Sequence, residues 1–150
     1  SEAGCPGIAD PGQNLVQVAQ QMNVEVKPLV GPNSILLALM ASGMNGQHFC
    51  FHGYLPIDAQ ERIKAIKNLE SESSQKNSTQ IFIETPYRNN QLLEALIKTC
   101  HPQTRICIAV DLTSENEMIK TKTVKEWKNE KVDLHKRPTI FCLNRDLGGF

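Results

Sequence analysis

From residue 48 onward, short apolar runs alternate with amphipathic segments in an order that a layered α/β fold accommodates. Phe49–Gly53 reads as a strand. Asp58 and Glu61 form a capping box that opens a helix with Ile63, Ile66 and Leu69 inward. Thr79–Glu84 (TQIFIE) is a second strand, and Thr85-Pro86 caps a helix that points Leu92, Leu93, Leu96 and Ile97 to the core. Arg105–Val110 is a third strand, and Glu117–Lys122 an edge strand, polar in alternate positions. Val124–Glu130 is a short helix carrying Trp127, and Thr139–Leu143 a last strand. The order β-α-β-α-β-β-α-β implies an α/β fold: a mixed sheet of about five strands with helices on its faces. The polar stretch ESESSQKNS, residues 70–78, reads as an exposed loop, and Asp146–Phe150 as a tail.

The upstream segment has a different character. SEAGCPGIADPG is dense in small residues, and Gly4, Gly7 and Gly12 permit close backbone approach. Asp10 is the expected N-cap of a helix with Pro11 at its first position and Gln13 as capping-box partner. That helix runs to Met22, with Leu15, Val18, Ala19 and Met22 on one face. Val24–Val30 alternates like a strand before the Gly31-Pro32 break. Residues 33–42, NSILLALMAS, are apolar nearly all round, which predicts a helix buried on most sides and stopped at Gly43. A tight loop feeding a helix normally follows a strand, so the chain reads as the C-terminal part of a larger fold.

Sixteen basic residues balance sixteen acidic ones, which gives no global drive toward nucleic acid or membrane. No apolar run approaches the roughly 18 residues of a membrane span. Of five cysteines, Cys50, Cys107 and Cys142 lie in apolar strand-like runs and read as reduced core residues of a cytoplasmic protein. No CxxC or Cys/His cluster has zinc spacing, so no metal site is expected. His101 and His135 read as surface residues. GxGxxG, GxSxG and P-loop patterns are absent. Chemistry is therefore sought in three loops next to strand ends or helix starts: Ala3–Ile8, Gly31–Ile35 and Glu84–Arg88.

Five stretches occur in register: SEAGCPGIADPG, PLVGPNSILLALMASGM, FHGYLP, IFIETPYRNNQLLEAL and IAVDLTSENE. Together they resemble the tetrapyrrole (corrin/porphyrin) methylase superfamily, and within it the bacterial small-subunit ribosomal RNA ribose 2′-O-methyltransferases. That branch looks like SDAGTPxISDPG, PLPGPSAxxxAL-ASG, FxGFLP, ESPHR and ARELTKxHE. The resemblance implies two α/β domains with S-adenosylmethionine in the cleft between them. Residues 1–31 would end the first domain, 32–47 form the connecting helix, and 48–150 the second domain. Part of the first domain would be missing, leaving this chain alone weak or inactive.

Carried over by position, the resemblance implies cofactor contacts at Cys5, Ile8, Ser34, Ile35, Thr85, Val110 and Thr139. Ile8, Ile35 and Val110 equally suit a plain core. Glu84, Asp111 and Glu117 are the acids nearest the implied cleft, where a ribose hydroxyl would benefit from a base; Glu84 and Asp111 are the catalytic candidates, with capping or surface solvation as the other reading. Arg88 matches the arginine of ESPHR and would hold a phosphate or the cofactor carboxylate, or be an ordinary helix-surface residue. The chain departs from the branch at Cys5 (Thr there), Tyr87 (His), Val110 (Arg), Ser114 (Lys) and Asn116 (His), which puts the ribosomal RNA substrate in question. Lys120, Lys122, Lys125, Lys128, Lys131, Lys136 and Arg137 form a basic stretch that suits either phosphate contacts or a solvated face. The resemblance also implies a homodimer. Two further functions stay open: methylation of a small molecule or tetrapyrrole by the same fold, and a module that binds cofactor or partner without turnover.

Overall fold

The computed structural model describes residues 3–146; the expected tail beyond Asp146 lies outside the described residues. The chain separates into two compact units, Ser1–Leu37 and Ala38–Phe150.

In the first unit, α1 (Gly12–Gln21) is preceded by a loop that closes on itself. Asp10 is not the N-cap; that position is Pro11, and no side chain caps the helix. The Asp10 carboxylate instead accepts from the Gly7 and Gly12 amides, both at 3.0 Å, tying the loop to the first helical residue. The backbone bonds from Gly7 and Gly12 hold its pKa below the ordinary value. Gly4 adopts a φ of +107°, and a Cβ there would sit 2.1 Å from the Pro32 carbonyl oxygen, so only glycine fits. The expected apolar face of α1 forms but is not covered: no residue of the helix is buried. Val24–Val30 is not a strand, because no neighbouring strand among the described residues completes a ladder with it.

Helix α2 (Ser34–Ser42) starts where Asn33 Oδ1 accepts from the Ile35 and Leu36 amides, at 3.0 and 3.1 Å. Ile35, Ala38, Leu39 and Ser42 are buried, but Leu36 and Met40 are exposed. The helix is thus buried along one stripe rather than on most sides. Gly43 follows with a φ of +71°, the left-handed stop expected there.

The second unit is built on a five-stranded sheet: β1 (Phe49–Tyr54), β2 (Thr79–Ile83), β3 (Arg105–Val110), β4 (Met118–Thr123) and β5 (Thr139–Asn144), in the order β1-β2-β5-β3-β4. β1 and β2 are parallel; β5 is antiparallel to β2 and β3, and β4 antiparallel to β3. It follows that β1, β2 and β3 all end at one edge of the sheet, where β4 and β5 begin. One face carries Phe82, Ile106, Ile108, Val110, Phe141 and Leu143, which pack with Ile66, Leu69, Leu92, Leu93, Leu96 and Trp127 in a single core. Phe82 and Phe141 stack at 5.9 Å, and Trp127 Nε1 donates to the Ile106 carbonyl at 2.9 Å, so its one polar atom is satisfied. On the other face, Cys107 and Cys142 are register partners between β3 and β5. A hydrogen bond from one thiol to the other, together with burial, pushes the Cys142 thiol up. Thr121 Oγ1 on this face donates to the Ser42 carbonyl at 2.7 Å.

Helices α3 (Ala59–Lys76), α4 (Asn89–Thr99) and α5 (Val124–Trp127) connect the strands. Asp58 caps α3 through the Gln60 and Glu61 amides, both at 3.0 Å, but the reciprocal capping-box bond is not made: Glu61 pairs with Lys64 instead. Ile63 is exposed, while Ile66 and Leu69 point inward as expected. Residues 70–76 are helix, not loop. Ser73 is buried, its hydroxyl accepts from the Arg145 amide at 2.8 Å, and Asn77 ends the helix at a φ of +46°. Helix α4 begins three residues later than Thr85-Pro86 suggested: Arg88 is its N-cap, and Thr85 instead accepts the Arg88 amide in a turn, at 2.9 Å. Cys50 is exposed, since β1 is an edge strand; Cys107 and Cys142 are buried as expected.

Candidate functional site

Where β2 and β3 end, three loops meet through backbone and side-chain bonds: 84–88 after β2, 111–117 after β3, and 134–138 before β5. Register places Ile83 beside Ile140 and Val110 beside Thr139, so the loops emerge side by side. The Asp111 amide donates to the Pro138 carbonyl at 2.9 Å, and the Lys136 amide to the Pro86 carbonyl at 3.1 Å. Asn89, the first residue of α4, donates from Nδ2 to the Arg137 carbonyl at 2.7 Å, and Thr139 Oγ1 donates to the same carbonyl at 2.9 Å. Asp111, Thr113 and Lys136 have φ values of +49°, +69° and +60°. Left-handed non-glycine residues cost roughly 1–3 kcal/mol each and gather at functional sites.

Charge at this edge is arranged in pairs. Glu84 has a side chain only 1% exposed. Its Oε1 accepts from the Thr85 amide at 2.7 Å and from Arg88 Nε and Nη2 at 3.3 and 3.1 Å. Its Oε2 is buried with no hydrogen-bond partner, and so is Asn89 Oδ1. A buried acceptor left unmatched costs about 1–3 kcal/mol, and more for a charged group. Glu84 Oε2 lies in the loop and Asn89 Oδ1 in the first turn of α4; they are two of six buried side-chain polar atoms without a partner among the described residues. Arg137 Nε donates to Asp111 Oδ2 at 2.7 Å, and Arg137 Nη2 to the Asn116 carbonyl at 2.9 Å. Glu117 Oε2 accepts from the Thr113 amide at 2.7 Å, closing the 113–117 turn. Asp133 is held below its ordinary value first by the Asn90 amide and then by the His135 backbone N–H.

The sequence-derived residues fall into separate groups. Glu84, Thr85, Arg88, Asp111 and Thr139 lie together at this edge. Val110 is there by position, but its side chain belongs to the core. Cys5, Ile8, Ser34 and Ile35 lie in the first unit: Cys5 Sγ donates to the Pro32 carbonyl at 3.4 Å, the Ile8 amide to the Cys5 carbonyl at 3.2 Å, and the Ser34 amide to the Ala3 carbonyl at 2.8 Å. Ile8 is exposed and Ile35 buried. Asn89 was not singled out by sequence reasoning, and Arg137 appeared only as one member of a basic stretch. Within that stretch Arg137 pairs with Asp111, while Lys122 pairs with Glu130 and lies 5.9 Å from the Trp127 ring centre. Among the described residues, no group of three His, Cys, Asp or Glu is placed to hold a metal, and no helix is long and apolar enough to cross a membrane.

A mixed five-stranded sheet with helices on its faces and polar loops gathered at one strand edge defines an α/β domain. The chain belongs to the tetrapyrrole (corrin/porphyrin) methylases, whose family profile matches residues 1–128. Among relatives, it is 36% identical over 119 residues to ribosomal RNA small subunit methyltransferase I of Vibrio cholerae, covering 79% of this chain and 40% of that protein. It is 32% identical over 146 residues to the protein of the same name from Buchnera aphidicola, covering 95% of this chain and 50% of that one. The chain thus spans half or less of the length of these relatives. Among solved structures, the methyltransferase CobJ matches with a TM-score of 0.59 at 19% identity, over 94% of this chain and 61% of that one. Uroporphyrin-III C-methyl transferase from Thermus thermophilus, solved with S-adenyl homocysteine, matches at 0.52 and 15%, over 94% and 62%. These two likenesses concern the fold.

Proposed function

We propose that a polypeptide of the relatives' full length containing this chain is an S-adenosylmethionine-dependent methyltransferase. Its proposed acceptor is a ribose 2′-hydroxyl of small-subunit ribosomal RNA. The observation that carries this reading is the loop 84–88 and the start of α4, with a gripped carboxylate and two buried acceptors without partners. It supports the likeness to relatives whose names specify a ribosomal RNA methyltransferase. The cofactor fits this donor–acceptor balance: its ammonium, ribose hydroxyls and adenine amine are donors, and Asn89 Oδ1 is an unused acceptor. Cys5, Ile8, Ser34 and Ile35 on the first unit and Thr85, Val110 and Thr139 on the second are its proposed contacts, Val110 through its main chain.

When bound, S-adenosylmethionine supplies an activated methyl group, so little acid–base power is asked of the protein. The residues align the acceptor hydroxyl and receive its proton. Each of the nearby acids commits one oxygen: Asp111 to Arg137, Glu117 to the Thr113 amide, and Glu84 to Arg88 and the Thr85 amide. Glu84 has a buried oxygen without a partner and is the proposed proton acceptor. Arg88, one-third exposed and oriented by Glu84, is the proposed grip for an anionic group. A homodimer and a cytoplasmic location complete the reading.

Two measurements test it. Calorimetric titration of S-adenosylmethionine into the full-length polypeptide should give one site per chain; no heat of binding overturns the cofactor assignment. Transfer of labelled methyl should go to small-subunit RNA, and Glu84→Gln should lower kcat by about 10²–10⁴-fold with cofactor affinity retained. Label appearing only in a tetrapyrrole would overturn the RNA reading.

A further inference from the structure

Tyr87 stands out at the same edge because nothing in the methyl-transfer reading uses it. It is 67% exposed. It is nonetheless held on two sides. The His135 ring packs against it at 5.8 Å and 73°, edge to face. The Lys136 ammonium lies 6.0 Å from its ring centre. Lys136 takes up the left-handed conformation while its amide bonds to the Pro86 carbonyl, next to Tyr87 in the chain. The ring is therefore an exposed plate fixed by a backbone tie between two loops, not a free surface side chain.

What sits around the plate limits its partner. Arg88 precedes α4 and Arg137 follows Lys136, with Asn90 and Asp133 hydrogen-bonded beside them at 2.9 Å. A protein hot spot wants an apolar surround that excludes water; this surround is polar. Arg88 and Arg137 are each paired with a carboxylate, whereas the Lys136 ammonium is placed against the ring. An aromatic face with a cation beside it matches a nucleobase followed by its phosphate.

Resting on the RNA reading above, we propose that Tyr87, backed by His135 and flanked by Lys136, is a stacking platform for one unpaired base of the RNA substrate. Base–aromatic stacking is sequence-tolerant, so the platform would hold a looped-out strand near Glu84 rather than read its sequence.

The test is binding of a single-stranded 12-nucleotide oligoriboadenylate carrying one 2-aminopurine to the full chain. Wild type should bind and quench the 2-aminopurine. Tyr87→Ala should weaken binding by roughly 5–150-fold, the equivalent of one lost stack, and abolish the quench. Tyr87→Phe and Tyr87→Trp should retain both, which separates stacking from folding. Lys136→Gln should lower the slope of log K against log salt by about 0.7, one phosphate contact on a single strand. Unchanged affinity and quench in Tyr87→Ala, with wild type binding, would overturn the platform alone. No RNA binding by wild type would overturn the RNA reading and the platform with it. A Tyr87→Ala effect on self-association measured by sedimentation, without one on RNA affinity, would assign the ring to a protein interface and also overturn the proposal.

Discussion

Helices α1 and α4 have the same kind of sequence and differ in burial within these 150 residues. Each puts four apolar residues at helical spacing: Leu15, Val18, Ala19 and Met22 in and just after α1, and Leu92, Leu93, Leu96 and Ile97 in α4. In α4, Leu92, Leu93 and Leu96 are buried against β2, β3 and β5 side chains. In α1, Leu15 is 76% exposed and Met22 68%. The pattern specifies which face a helix offers; a facing sheet decides whether that face stabilises anything.

The sharpest way to break this comparison is to delete the same side chain from each helix. Leu96→Ala in α4 should cost about 2–5 kcal/mol, lost transfer energy plus a cavity in a packed core. Leu15→Ala in α1 should stay within about 0.5 kcal/mol. Urea denaturation followed by Trp127 fluorescence reports the first directly, because Trp127 belongs to the same core. Equal losses from the two substitutions would mean that α1 is packed in solution and that the contrast is mistaken.

A second substitution asks whether the first unit has its own source of order. Gly4→Ala places a Cβ where the Pro32 carbonyl lies and demands a positive φ from a residue that avoids it. The expected cost exceeds about 1 kcal/mol and should be confined to Ser1–Leu37. Hydrogen exchange should speed up at the Ser34 amide, which bonds to Ala3, and stay unchanged in β2, β3 and β5. Acceleration in the strands as well would show that the two units unfold as one.

The same contrast explains what could be read in advance. Strands β2, β3 and β5 were legible because their apolar runs are short, dense and bounded by polar turns, and the sheet supplies the partners those runs require. Val24–Val30 has the alternation without a ladder, and alternation alone does not hold hydrogen bonds. Residues 70–76 were misread for the converse reason. Ser and Glu are weak signals of a helix, but Ser73 is buried and bonded to Arg145, and Glu70 accepts the His101 amide at 3.0 Å. Tertiary contacts extend that helix where local composition does not. At the candidate site, Glu84, Thr85, Arg88 and Asp111 follow from the motifs. Asn89 and Arg137 do not, because their roles come from 48- and 26-residue separations that only the sheet order closes.

The last and smallest effect concerns acid, and it again separates the units. Asp10 has its pKa lowered by the Gly7 and Gly12 backbone bonds, so its carboxylate stabilises the loop only while ionised. A depressed folded-state pKa gives stability that is present above the ordinary value of 3.8 and is lost as pH falls through the lower folded value. As pH falls below 3.8 through the lower folded value, the Gly7 and Gly12 amides should therefore lose protection, and Asp10→Asn should remove that pH dependence. Within the second unit, the Glu126 carboxylate accepts from the Thr123 backbone N–H and hydroxyl and is lowered in the same sense. Its capping box closes onto Val124 and Trp127, which are buried in the core. Acid should thus release the 7–12 loop while α5 keeps its protection, since Trp127 packing outlasts the loss of one cap. Simultaneous loss of protection at Gly12 and Trp127 would show that capping, not burial, limits α5.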